Sequence, residues 1–559
     1  MQFWWEKYPG RLEYEIDELK ALGAKIKSVN KEISSGQVRL EFEYPYTGQM
    51  IAIRTLYPAH YPLARFEVLA PELLLERHQN RFGQNLCVLT RTPASWDSRF
   101  TIGNILNERL PKILAAQSPE APQNSELEEP QGEPRSAELP YAPDAVFIVS
   151  SDWKLPPNVL RGRLTLGFMD SIGVAVRGVV LIVCDENNNV LATASPELAQ
   201  IVTEKVDCEW YRLDKNISSS GAKQFLGEFG LKIQTGRAIG GLPCTVTGFV
   251  QTEEVEYRTF SDSWVFVVSL TQDRAGFRKG HYTSAYFARA ARLGKSDVTR
   301  RIPMTSALKE KRIAVAGAGC LGAAGILEFA KAGTSELRIV DHDIVEPATA
   351  VRWPLGIAAA GRAKVAVLKE FIESNYPFSA INALQKRIGG TAEFWGATGP
   401  DIDKFCHGAD LVFDATVDDA ANDILAGVAQ EKQIPYVLLS GTEGGVGGRV
   451  VLIDPKGEMC WTCWLYHLSE DPAKLVPPSE PSGRIRPIGC SEPTFTGANY
   501  DMQEVSLTAV RAAVSLLSPQ HVTNWNAAIL SLQSESDPHI PVWTTYNLKR
   551  HSECPHHKT

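Results

Sequence analysis

Gly317, Gly319 and Gly322 stand at G-x-G-x-x-G spacing behind a short apolar run, Ile313 to Ala316. The run reads as a buried parallel strand. The first glycine suits a tight turn, the second a close approach of backbone to a phosphate, and the third close helix–strand packing. A helix is expected from Leu321 to Ala332, with its free N–H groups and dipole turned toward that loop, an arrangement that favours an anion. Leu337 to Val340 reads as the next strand, and Asp341 and Asp343 sit at its end. An acid about 20 residues past the loop suits a ribose hydroxyl. This much fits NAD and ATP equally. Arg352, and Lys364 at the opening of the helix expected over Val365 to Ile372, tilt the balance. Two cations aimed at the loop suit a triphosphate whose charge must be neutralised during attack. Either one alone reads equally as a solvated surface charge.

Further along, Ala409 to Asp414 reads as a buried strand running into Thr416 and Asp418. At the carboxyl edge of a parallel sheet, Asp414 or Asp418 could hold Mg²⁺ on the phosphates. Cys460 and Cys463 form a C-x-x-C pair, and Cys554 with His557 (or His556) a second pair at the far end. Together they have the donor set of a tetrahedral structural Zn²⁺ site. Cys490 lies between Gly489 and Pro493 in a Pro/Ser-rich stretch, so a loop thiol is expected there, and exposure suits a reactive sulfur. Near the other end, His78-Gln-Asn80 precedes Cys87, and Trp96 follows. A lone cysteine is ordinarily a small buried residue, but this one sits in a constellation.

The elements that must position these groups divide 559 residues into several domains. Residues 1–117 open with helical spacing over Tyr14 to Leu22. Val38 to Tyr44 then alternates strictly, and Met50 to Leu56 is rich in strand formers. Residues 118–140 are Pro/Glu/Ser-rich and read as a flexible linker. Residues 141–290 read as a mixed domain of unidentified fold, with strands at Ala145 to Val149, Leu164 to Phe168, Gly178 to Val183 and Trp264 to Leu270. Gln224 to Leu231 reads as a helix. His281 to Leu308, with 291–308 as connector proper, reads as basic and helix-prone, and 309–559 carry the glycine loop. The fold class is therefore α/β and α+β multidomain. With 57 Lys and Arg against 65 Asp and Glu, the net charge of −8 argues against a general nucleic-acid binder. No run of 18 apolar residues and no signal-peptide pattern is visible, so a soluble, cytoplasmic protein with no membrane partner is expected. Ten cysteines in so long a chain are not a disulfide scaffold.

Two family resemblances rest on these residues. Residues 1–117 resemble ubiquitin-conjugating enzymes through Tyr61-Pro62, His78, Asn80, Cys87, Trp96 and a helix from about Thr101. Gln79 stands where the family has proline, and Asn80 lies one residue closer to the cysteine than usual. The likeness implies that Cys87 carries a thioester, with Asn80 assisting the oxyanion or ordering the loop. Residues 309–559 resemble the ThiF/MoeB adenylyltransferases, the core of ubiquitin-activating enzymes, through the three glycines, Asp341, Asp343, Arg352, Lys364, Asp414 to Asp418 and the Cys/His pairs. Ala348-Thr-Ala-Val departs from the family's asparagine-rich approach to the arginine. The combination resembles the CD-NTase-associated fusion of CBASS anti-phage operons. That likeness implies ATP-dependent adenylation of a partner's C-terminal tail, that of a cGAS-like nucleotidyltransferase. The acyl group would pass as thioester from Cys490 to Cys87, then to a lysine or small amine, in a homodimer. An NAD-dependent oxidoreductase fusion and a non-catalytic scaffold are the competing readings.

Overall fold

The computed structural model describes residues 2–89, 96–117, 132–151, 153–214, 217, 221–232, 238–239, 241–273, 281–486, 494–518, 523–532 and 540–557. It forms two compact units, one of residues 1–193 with 203–291 and the other of 194–202 with 292–559.

The first unit begins with helix Arg11–Ala21. Strands Lys25–Glu32, Gln37–Tyr46, Gln49–Tyr57 and Glu67–Leu69 follow as an antiparallel meander in sequence order. Along Gln37–Tyr46 alternate side chains Val38, Leu40, Phe42 and Tyr44 are buried, as period-two patterning dictates. Helix Ile102–Ala115 closes this layer, and its first turn is capped by Thr101 Oγ1, which accepts from the Asn104 N–H at 3.1 Å. Buried Glu15 joins the two helices: it pairs with Arg11 at 2.9 Å and accepts from the Ile102 N–H at 2.8 Å.

The remainder of that unit is a nine-stranded sheet that closes on itself. Strand Glu204–Arg212 pairs with Arg161–Phe168 on one side and with Leu242–Glu256 on the other. Phe147, Leu164, Trp210, Val250 and Phe266 fill the interior. Two expectations need correction. Residues 281–293 are the last strand, His281–Leu293, rather than the start of a helical connector. Antiparallel pairing with Val265–Asp273 and burial of Phe287 and Ala288 outweigh the helix propensity of Ala and Arg there. Residues 132–140 are not free tether. A 3₁₀ turn at Arg135–Glu138 buries Ser136, whose N–H donates to Glu253 at 2.9 Å. Local Pro/Glu content misses this because the partners come from a strand more than a hundred residues away.

In the second unit eight strands form one sheet. Across it run Ala380–Leu384, Glu336–Val340, Arg312–Ala316, Leu411–Asp414 and Tyr436–Gly441, all parallel. Gly447–Ile453, Ala527–Ser531 and Val542–Tyr546 continue it antiparallel. Arg312–Ala316 has Glu336–Val340 on one side and Leu411–Asp414 on the other, so the winding direction reverses at this strand. A reversal opens a crevice at the carboxyl ends of the strands, where α/β sheets bind ligands. Helices Cys320–Lys331 and Asn499–Leu517 pack on one face, with Ile326, Phe329, Val505 and Ala509 in the core. Helix Asp419–Glu431 packs on the other through Leu425 and Ala429.

Candidate active site

A cavity of about 260 Å³ opens at that crevice, lined by Gly317, Gly319, Asp341, Asp343, Arg352, Lys364 and Asp418, among others. Gly317 has φ of +84°, and a Cβ there would fall 2.5 Å from the Ala415 carbonyl oxygen. A Cβ on Gly322 would fall 1.8 Å from the Gly317 oxygen, so this glycine packs helix onto loop and does not face the cavity. A Cβ on Gly319 would meet nothing within 4 Å, which leaves its backbone open to a ligand.

Asp341 organises the loop before it binds anything. Its Oδ2 accepts from the Ala318 N–H at 2.6 Å and its Oδ1 from the Asp343 N–H at 2.7 Å. Lys364 Nζ lies 2.8 Å from Asp343 Oδ2. Arg352 stacks on the Phe495 ring at 5.0 Å, donates to the Phe495 carbonyl, and donates to Thr494 Oγ1 at 3.0 Å. Both cations are thus held at the cavity by partners that a phosphate can replace. Asp418 caps helix Asp419–Glu431 by accepting from the Ala421 N–H at 2.9 Å, and its other oxygen lies 3.7 Å from Arg387.

Asp414 does not belong to the lining, which corrects its place among the nucleotide ligands. It is fully buried and accepts from Tyr436 OH at 2.7 Å, Asn422 Nδ2 at 2.9 Å, Thr416 Oγ1 at 2.7 Å and the Thr416 N–H at 3.0 Å. Burial pushes its carboxyl above the ordinary range despite these donors. Its role is to hold the turn that carries Asp418. The lining also includes Lys386, Arg387, Trp353 and Cys320, none of them singled out by the sequence patterns. Trp353 Nε1 donates to the Ala318 carbonyl at 2.9 Å and braces the loop. Lys386 and Arg387 follow strand Ala380–Leu384. The rule that ligands gather at strand carboxyl ends would have found them. Burial pushes the Cys320 thiol up, with Arg352 and Lys364 pulling the other way.

Cys490 falls outside the described residues. On the flanking stretches, Arg484–Ile485 pairs antiparallel with Thr494–Phe495.

In the first unit Cys87 is exposed. Its N–H donates to the His78 carbonyl at 2.8 Å, and the Asn80 N–H donates to Asn85 O at 2.8 Å, so 78–80 and 85–87 form a small hairpin. Asn80 Oδ1 accepts from the N–H groups of Phe82 at 3.0 Å and Gly83 at 2.6 Å, which orders the turn. Gln79 is buried and staples the loop, accepting from the Leu75 N–H at 2.8 Å and donating to Ala70 O at 3.0 Å. Two fixed hydrogen bonds thereby hold this position of the loop.

The four residues of the Cys/His pairs converge. Cys460 Sγ lies 3.6 Å from both Cys463 Sγ and Cys554 Sγ, and one ligand atom each from these three and His557 fall within 4.8 Å of one another. Sulfurs about 2.3 Å from a tetrahedral Zn²⁺ would sit roughly 3.7 Å apart. His557 Nε2 is buried and lacks a hydrogen-bond partner, a cost that a metal would relieve. The donor set and spacing fit Zn²⁺, with His557 as the fourth ligand.

The ThiF family model matches residues 293–522. The uncharacterized protein y4oA of Sinorhizobium fredii is 28% identical, and the alignment covers 99% of this chain and 97% of that protein. The probable adenylyltransferase/sulfurtransferase MoeZ of Mycobacterium tuberculosis is 30% identical over 131 residues, 23% of this chain and 31% of that one. Among solved structures, E. coli MccB with ATP is 16% identical with a TM-score of 0.34, covering 45% of this chain and 68% of its own. Among the described residues no helix is long and apolar enough to cross a membrane.

Proposed function

We propose that this chain, whose residues 293–522 form a ThiF-family domain, is an adenylyltransferase that activates a partner protein's C-terminal carboxylate and passes it on through cysteine. One observation carries the reading. Gly319, Asp341, Arg352, Lys364 and Asp418 surround a single cavity at the sheet's switch point. A carboxylate oxygen attacks the α-phosphorus of ATP, a new P–O bond forms, and the bond to the β-phosphate oxygen breaks to release pyrophosphate. Arg352 and Lys364 leave Phe495 and Asp343 to offset the charge that develops. Asp341 takes the ribose. Asp418 has the exposed carboxylate chemistry that Mg²⁺ requires, and the ion would neutralise phosphate charge.

Cys490 is the first acceptor in this account. Its sulfur attacks the acyl carbon and AMP leaves. Thr494 and Phe495 line the cavity, and the four Cα–Cα steps from 490 to 494 span at most about 14 Å. The Cys87 sulfur then attacks the thioester and the Cys490 thiolate leaves, an exchange nearly balanced in energy. An amine, lysine or small, finally displaces Cys87 and loses its proton. The exposure of Cys87 on an ordered hairpin supports this role. A cGAS-like nucleotidyltransferase is the first candidate donor, on the likeness to CBASS fusions, and a homodimer is part of the same reading. Cys460, Cys463, Cys554 and His557 would hold Zn²⁺, which would tie residues 554–557 to helix Trp461–Glu470.

The relay is tested with the donor in hand. Cys490→Ala is expected to abolish thioester on Cys87 while ATP–pyrophosphate exchange continues. Normal loading of Cys87 in that variant contradicts the relay. Asp418→Ala is expected to stop exchange itself.

A further inference from the structure

The stretch before Cys87 is held from outside its own fold. Arg77 forms an ion pair with Glu254 and lies over the Tyr257 ring at 4.9 Å from its centroid. The His78 N–H donates to Glu133 Oε2 at 2.8 Å, and its Nδ1 lies 3.5 Å from Glu133 Oε1. The Arg81 N–H donates to Glu138 Oε2 at 2.8 Å. Phe82 packs on the apolar cluster of Leu139, Phe225 and Phe249. Every one of these partners lies in the closed sheet, in its turn at Tyr257, in helix Ala222–Glu228 packed on it, or in residues 133–139 leading into it. Glu133 and Glu138 are themselves set in place by Ser136, which Glu253 anchors. The chain of contacts reaches the thiol in two steps: Glu133 fixes His78, and the His78 carbonyl accepts the Cys87 N–H.

We infer that the closed sheet of residues 141–293 is a positioning platform for the Cys87 loop, with Glu254 and Glu133 as positioning residues. The arrangement does in one chain what a separate docking partner would do, and it occupies the face formed by Arg77 to Phe82. An ion pair that is largely withdrawn from solvent on both sides, with Arg77 19% and Glu254 11% exposed, is shielded from salt far better than a surface pair. The inference rests on Cys87 being the acyl acceptor, but its test does not.

The test is hydrogen exchange of the full chain with Arg77→Ala, Glu254→Ala and the double variant. Each single change is expected to speed exchange of the 78–87 amides about fivefold, and the double change by less than the two effects combined, because both remove the same ion pair. Helix Ile102–Ala115 stays protected if the fold is intact and serves as the internal control. Glu133→Gln provides an independent arm and is expected to speed exchange at His78 and Cys87. The same variants are expected to change alkylation of Cys87 by iodoacetamide by at least about threefold, with Cys184 unaffected. Exchange unchanged in the singles, or additive effects in the double, overturns the platform. Altered exchange with unaltered Cys87 alkylation also overturns it, because the contact would then not reach the thiol. Neither result bears on whether Cys87 accepts an acyl group.

Discussion

Gly319 and Gly322 lie three residues apart, and alanine at each is predicted to fail in a different way. The Cβ of Gly322→Ala would sit 1.8 Å from the Gly317 oxygen and 3.2 Å from Ala415 Cβ. The first obstacle is backbone and cannot swing aside. Overpacking of this kind costs about 1–3 kcal/mol. A domain of this size loses roughly 2–4 °C of Tm per kcal/mol, so a drop of roughly 2–12 °C follows. The Cβ of Gly319→Ala meets nothing within 4 Å, and Gly319 has an ordinary φ of −68°. Only the modest loss of glycine as helix N-cap remains, which keeps the Tm shift within about 3 °C. The methyl stands where a phosphate must approach backbone, so Mg-ATP affinity is expected to fall at least tenfold, about 1.4 kcal/mol. Differential scanning calorimetry and titration calorimetry with Mg-ATP read the two effects separately. A Gly322→Ala chain that melts like wild type, or a Gly319→Ala chain that binds Mg-ATP unchanged, would refute the assignment of packing to one glycine and phosphate to the other.

Purified chain is expected to carry one Zn²⁺ per molecule by elemental analysis. Cys554→Ser should release it and lower the Tm of the second unit without weakening Mg-ATP binding, because the cluster lies apart from the cavity lining. Asp414 gives a pH signature. Its folded carboxyl is raised by burial, so the stability it contributes is present below its unfolded value and is lost as pH rises through its folded value. Asp414→Asn should flatten that part of the Tm–pH curve, and an unchanged slope would contradict the burial argument. The same variant should cost roughly 2–4 kcal/mol, because an amide cannot accept from four donors at once.

The glycine spacing, the strand–helix–strand around it and the acids at strand ends were legible because each is a local pattern with a fixed period. The C-x-x-C and C-x-x-H pairs were legible for the same reason. What was not legible depends on distant partners. Ala and Arg in His281–Leu293 read as helix until the strand at Thr259–Asp273 is there to pair with them. The sheet closes through Glu204–Arg212, and no turn residue announces that. Asp414 and Asp418 look alike in sequence. One is buried under Tyr436 and Asn422, and the other faces the cavity; only the packing of helix Asp419–Glu431 separates them. Gln79 looks like a lost proline in sequence and is a buried staple in the fold.

The most direct test of acyl transfer through cysteine is mass spectrometry of the Cys87→Ser chain expressed in its native host. An oxygen ester on the substituted hydroxyl is more durable than the thioester and should hold the donor's C-terminal residue on the chain. The account predicts an acyl adduct at position 87 that vanishes when Lys364→Ala or Cys490→Ala is added. An adduct that persists with both additions, or no adduct at position 87 in a chain that binds Mg-ATP normally, would contradict it.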